Sequence, residues 1–287
     1  MNLEGRRESS NVEDRRMSGG TMAGHGIGGA LIIGLITLLL GGNIGDVINN
    51  VQNQGGITTT QTTSQREFTQ QEQELATFAK RVLAGTEDIW TAVLQQYGIR
   101  YVPPKMVLYT GATSSGCGSA SSSVGPFYCS ADQTVYIDLS FFSSMKSQIG
   151  ADGDFAYAYV IAHEVGHHVQ NVLGTLSKAH QQMSRTSKAN ANRISVRLEL
   201  QADFYAGVWA YNDNKMYGSL EDGDLMEALN CATKIGDDYL QKKSQGYVVE
   251  ESFTHGTAQQ RLRWLKKGLS TGDIRQGDTF SCSDSEL

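Results

Sequence analysis

Proline is almost missing from this chain, with 3 in 287 residues, and its 32 glycines follow no G-X-Y period, so a collagen-like rod is excluded. Cysteine is also sparse. Four cysteines with no C-x-x-C pair are too few for a disulfide-dense miniprotein. A basic excess is absent as well: 24 Lys and Arg stand against 30 Asp and Glu, for a net charge of −6. Nucleic acid, which asks for a basic stripe, is therefore not an expected partner. No internal repeat is visible. What remains, at 39% apolar and 19% charged residues, is the composition of an ordinary globular protein with room for one large or two small domains.

Charge is also missing locally. No charged residue occurs from Gly26 to Gly45, and Ile27–Leu40 (IGGALIIGLITLLL) is almost wholly apolar. At 1.5 Å per residue, residues 26–45 reach about 30 Å, the thickness of bilayer hydrocarbon. A signal peptide would have a shorter leader and an A-x-A-like exit, and a core helix would carry a polar face, whereas this run has only Thr37. A single transmembrane helix at 26–45 is expected. Four arginines, Arg6, Arg7, Arg15 and Arg16, precede it, and only Arg66 follows closely. The positive-inside bias then expects a cytoplasmic N-terminus and an extracytoplasmic remainder. Residues 1–25, highly charged and poor in apolar side chains, read as a disordered tail. Residues 46–66, rich in Asn, Gln, Thr and Gly, read as a polar linker. Gly26, Ala30 and Gly34 form a small-residue ridge through which two anchors could self-associate.

Residues 67–287 then form one domain, read as α+β: mostly helical with a small sheet. Helical spacing recurs over Leu75–Val82 and Ile89–Tyr97, and over Phe155–Val172, Ile194–Tyr211, Leu225–Lys242 and Thr257–Lys267. Lys105–Thr110 and Thr134–Asp138 read as strands. Cys117 and Cys129 flank a short Gly/Ser-rich loop and are the natural disulfide pair outside the cytoplasm, which leaves Cys231 and Cys282 to pair with each other; buried free thiols are the alternative.

His163-Glu164-Val165-Gly166-His167 is an H-E-x-x-H. Histidines at i and i+4 share one helix face, about 40° apart, so both rings can ligate one ion. Glu164, about 100° from the first histidine, reaches a water on that ion without ligating it. The metzincin extension is missing, since Gln170 and Leu173 stand where Gly and His would be required. His168 points away from the pair and is read as a surface or supporting residue. Downstream, Glu199 and Asp203 again lie at i and i+4, among Leu198, Leu200, Ala202 and Phe204. Two unpaired carboxylates there would be costly, and a metal accounts for both. Glu199 is taken as the third ligand and Asp203 as acceptor for a ligating histidine; the reverse assignment remains open.

This HExxH followed by ExxxD resembles the gluzincin pattern of zinc proteases. The chain more specifically resembles the bacterial neutral zinc metallopeptidases of the YpfJ-like family, through Gly5–Arg16, Cys117–Cys129, HEVGHHVQN, ELQAD and Thr254-His255-Gly256. The resemblance implies a zincin-like fold and a zinc metalloendopeptidase, with about one Zn²⁺ per chain, anchored in the bacterial inner membrane with its catalytic domain in the periplasm. It implies peptide or protein substrates and makes His255 the candidate for stabilising the oxyanion. By the same analogy, Tyr136 and Asp138 would lie on an edge strand that pairs with substrate. Arg261 would be either a clamp for a substrate carboxylate or a salt-bridge partner for a buried acid. The competing readings are a membrane-tethered binding or scaffold protein with a structural zinc, and a metal-free soluble domain with a cleaved leader.

Overall fold

A computed structural model describes residues 1–17 and 67–287. The expected span 26–45, its Gly26/Ala30/Gly34 ridge and the linker 46–66 lie outside the described residues. Among the described residues no helix is long and apolar enough to cross a membrane.

Helix α1, Gln70–Gln95, starts at a capping box in which Thr69 and Glu72 satisfy each other's backbone N–H groups. It runs unbroken through Leu75–Val82 and on from Ile89, ends two residues short of the expected Tyr97, and buries Ala79, Leu83, Trp90 and Leu94. Strands β2 (Lys105–Tyr109) and β6 (Thr134–Asp138) form where the sequence predicted them and pair in parallel, Met106 against Val135. Between them come the hairpin β3 (Ala112–Ser115) and β4 (Gly118–Ser121), then β5 (Phe127–Cys129), antiparallel to β6. Alternation divides the sheet's side chains. Met106, Leu108, Val135 and Ile137 face the main helical core, while Val107, Tyr109 and Tyr136 form a smaller cluster with Cys129 on the other face.

The sheet corrects two expectations. Its order is β1-β2-β6-β5, where β1 is Val12–Asp14, so the segment read as a disordered tail contributes an edge strand, parallel to β2. Met1 and Leu3 are buried in the main core. The tail's charges misled because each arginine has an acidic partner: Arg6 with Asp213, Arg7 with Asp88, Arg15 with Glu13 and Arg16 with Asp14. The second correction concerns β6, an interior strand buried along its whole length. Tyr136 bonds Asp132 and stacks on Phe127, while Asp138 accepts from the N–H groups of Gly111 and Ser140. Neither residue lies on an edge open to a substrate strand.

A short helix α2 (Ser140–Ser144) leads to α3 (Asp154–Val172), α4 (Thr175–Met183) and the long α5 (Lys188–Tyr217). The stretch predicted as one helix over Leu225–Lys242 divides into α6 (Asp224–Lys234) and α7 (Asp237–Gln245), with Gly236 extended at the break. Helix α8 (Ala258–Thr271) starts at a second capping box, Thr257 with Gln260. It lies across α5 where two glycines meet: a Cβ on Gly268 would fall 2.1 Å from the Phe204 carbonyl oxygen. That close approach is what brings Arg261 to Asp203.

Cys117 and Cys129 are disulfide-bonded. Cys231 and Cys282 are not, which corrects the second expected pair. Cys231 is buried among the apolar residues of the core, and burial pushes its thiol up to about 12. Cys282 lies apart, beside Arg197 in the C-terminal segment. Native protein is accordingly expected to react with a maleimide at Cys282, and at Cys231 only after denaturation. Mass spectrometry of the labelled peptides checks this; labelling of Cys231 in the native state would contradict its packing.

Candidate metal centre

Helices α3 and α5 build the site between them, and their closeness is a sequence property. Gly166, inside the HExxH, faces Ala202, inside the ExxxD segment; a Cβ on Gly166 would fall 2.9 Å from the Ala202 carbonyl oxygen. With small residues on both sides, the histidine face of α3 meets the carboxylate face of α5. His163 Nε2 lies 3.1 Å and His167 Nε2 3.4 Å from the Glu199 carboxylate. One donor atom from each of the three lies within 4.8 Å of the others, which suits a single small cation.

Each ring is held by its other nitrogen. Asp203 Oδ1 accepts from His163 Nδ1 at 2.8 Å. The Gln170 amide nitrogen donates to the Leu198 carbonyl at 2.7 Å, which leaves its oxygen to accept from His167 Nδ1 at 2.9 Å. Both Nδ1 atoms therefore carry the proton, and both Nε2 lone pairs turn to the cation position. This donor set, two neutral imidazoles and one carboxylate, fits Zn²⁺ with an open fourth position. Electrostatics agree. Burial opposes charge on His163, yet Asp203 and Glu199 raise it to about 10, so the cluster is short of positive charge.

Asp203 is the hub. It is fully buried and accepts from Tyr159 Oη at 2.6 Å and from the Arg261 guanidinium at 2.8 and 2.9 Å. Burial pushes its carboxyl up, but Arg261 and His163 outweigh that and hold it at about 2. Arg261 is itself buried and pairs with Asp203, as one of its two expected roles requires, and it also lines the cavity beside the three donors.

Glu164 takes no hydrogen bond among the described residues, and burial, opposed by the two histidines, raises its carboxyl above its ordinary value. It lines a cavity of about 380 Å³ together with His163, His167, Glu199 and His255. His255 sits on a turn whose three successive N–H groups, from Thr254, His255 and Gly256, all donate to Asp237 Oδ2. His168 is buried and not at the surface: Tyr128 Oη and the Val102 carbonyl hold its two nitrogens. The polar stretch after His167 forms α4, whose Leu176, His180 and Met183 make one wall of the cavity.

The sequence profile of the family described as "Putative neutral zinc metallopeptidase" matches residues 1–280. The chain belongs to this family. The uncharacterized protein YpfJ of Escherichia coli K12 is 50% identical over 99% of this chain and 100% of its own length. Uncharacterized proteins of Mycobacterium bovis and Mycobacterium tuberculosis are 45% identical over 64% of this chain and 64% of theirs. No solved structure matches the chain.

In this family member the residues that sequence reasoning missed are the supporting ones, Tyr159 and Gln170. The signal was present: Tyr159, His163 and His167 repeat every four residues on one face, and Gln170 follows at i+3. Glu199→Ala is expected to lower zinc content at least tenfold at limiting metal, because two imidazoles alone hold the ion poorly. Metal analysis of the dialysed variant checks this, and undiminished zinc would point to another third ligand.

Proposed function

We propose that this family member is a zinc-dependent endopeptidase of zincin-like architecture, with His163, His167 and Glu199 as ligands. The observation that carries the reading is a three-residue donor set with an unpartnered acid, Glu164, beside it in an open cavity. A structural zinc site has four protein ligands and no use for such an acid, which disfavours the scaffold reading. Zn²⁺ supplies Lewis acidity there, lowering the pKa of water and polarising a carbonyl. Glu164 takes the proton as water attacks the peptide carbonyl, and returns it to the leaving amine. Its raised carboxyl pKa suits both directions of transfer. His255 donates a hydrogen bond to the developing oxyanion. The substrate strand pairs along β5, the sheet edge whose Phe127 and Tyr128 line the cavity, in place of the interior β6.

With Val124, Phe141, Leu198 and Leu240 also in the lining, the cavity favours an apolar side chain beside the scissile bond. The Cys117–Cys129 disulfide supports an oxidising, extracytoplasmic location for the domain. The test is a peptide-library digest at neutral pH with the metal-loaded full chain, then with chelated protein, then with zinc restored. Cleavage next to large apolar residues that stops on chelation and returns with zinc is expected. Zinc-bound protein that neither cleaves peptides nor binds a small hydroxamate would return the reading to a closed structural site.

A further inference from the structure

His168 follows the candidate ligand His167 directly, and the one-residue step turns it about 100° around α3, away from the donor cluster and toward the sheet. It is 1% exposed and lies between two aromatic rings, Tyr101 at 5.6 Å and Tyr128 at 5.4 Å, each meeting it edge to face. Burial pushes its pKa down and keeps the ring neutral. The roles of its two nitrogens then follow. The Val102 carbonyl can only accept, so Nε2 carries the proton and donates to it at 2.8 Å. Nδ1 is left with a lone pair, which accepts from Tyr128 Oη at 2.9 Å. The same tyrosine oxygen accepts from Asn171 Nδ2 at 3.2 Å, and Asn171 lies at i+3 from His168 on α3. Each donor in this series has its acceptor, and Tyr128 is held by two residues of one helix.

Tyr128 is the middle residue of β5. Alternation sends its neighbours Phe127 and Cys129 to the small cluster with Tyr109 and Tyr136, and Tyr128 to the face packed on the main helical core. It is therefore the side chain through which α3 grips this strand. The grip matters because β5 ends the sheet, with β6 on one side and no described strand on the other. Three residues paired along a single edge have few ladder bonds to fix them. Adjacent residues of α3 thus face the two halves of the site: His167 the donor cluster, His168 the strand that borders the cavity.

We infer that His168 is a positioning residue, which by holding Tyr128 sets where an extended peptide on β5 lies relative to the metal centre. The inference rests on the peptidase reading and supplies the group that fixes the distance between substrate strand and ligands. A substrate long enough to pair with β5 moves with it. A shift of about 1 Å then carries the scissile carbonyl away from the donor cluster and Glu164, a displacement that can cost up to roughly 10²-fold in turnover. A substrate too short to pair with the strand does not feel that shift.

Two variants of the zinc-loaded full chain break the contact from opposite ends. His168→Phe keeps a ring between Tyr101 and Tyr128 but removes both nitrogens, and Tyr128→Phe removes only the hydroxyl. The readout is kcat/KM for an octapeptide divided by kcat/KM for a blocked dipeptide cleaved at the same residue pair. In each variant this ratio is expected to fall roughly tenfold. The double variant is expected to lose no more than either single one, because all three lack the same contact. A merely structural defect lowers the active fraction, which divides out of the ratio. Should His168→Phe fail to fold, Tyr128→Phe decides alone. Native protein that cleaves the octapeptide, with a ratio unmoved in the variants or losses that add in the double one, would overturn the positioning role alone. Native zinc-bound protein that cleaves neither peptide would overturn the peptidase reading, and this role with it.

Discussion

Glu164→Gln is expected to leave about one zinc per chain and to lower peptide hydrolysis by roughly 10²–10⁴-fold, the usual contribution of a positioned general acid–base group. The two effects separate because of geometry. The candidate ion position lies among His163, His167 and Glu199, whose rings are supported by Asp203 and Gln170. No described hydrogen bond runs from Glu164 to any of them, so the amide removes a proton acceptor without loosening a ring. Glutamine has the shape of glutamate, so it fits the same confined space, where the residue is 8% exposed. The buried carboxyl also has a raised pKa, so replacement by a neutral amide relieves a cost and folding is expected to be undisturbed. Zinc analysis and turnover on the same preparation check this. Unchanged turnover would remove the acid–base role, and lost zinc would make Glu164 a ligand.

The candidate donor cluster was readable in the sequence because its members are marked by local periodicity. Two i, i+4 pairs on two helices declare which side chains share a face, and helix geometry does the rest. Strands β2 and β6 were readable as short runs of β-favouring apolar residues, Met106–Tyr109 and Val135–Ile137. The N-terminal strand was not. Val12–Asp14 has two charged residues in three, and what fixes it is pairing with β2 more than ninety residues on, as Val12↔Met106 shows. An edge strand can remain polar on its open side, which erases the alternation that would have announced it. The interior position of β6 was hidden likewise: order within a sheet is a long-range property, and no residue of Thr134–Asp138 encodes whether β5 lies beyond it. The Cys231–Cys282 pairing failed because an even cysteine count carries no distances, whereas the short Cys117–Cys129 loop does. The break between α6 and α7 follows from Asp237, whose buried carboxylate is committed to the turn carrying His255.

Arg261→Met should be the most destabilising single change at the site. The guanidinium is the counter-charge of an Asp203 carboxylate that has no exposure, and a buried pair broken from one side typically costs about 3–5 kcal/mol. In a domain of this size that corresponds to a fall in Tm of roughly 6–20 °C. The cause can be isolated by the double variant Asp203→Asn with Arg261→Met. With the charge gone from both partners, no unpaired carboxylate remains, and most of the lost stability is expected to return. Zinc affinity is expected not to return, since a neutral amide is a weaker acceptor for His163 Nδ1–H and supports of this kind are typically worth 10–100-fold in metal binding. Calorimetry and metal titration on the four proteins of the cycle therefore separate two roles of one carboxylate. Recovery of stability without recovery of zinc assigns Arg261 to holding Asp203, and Asp203 to holding the ring. If stability stays low in the double variant, the loss comes from the packing of the arginine's stem against α5 and α6, and the ion pair itself contributes little.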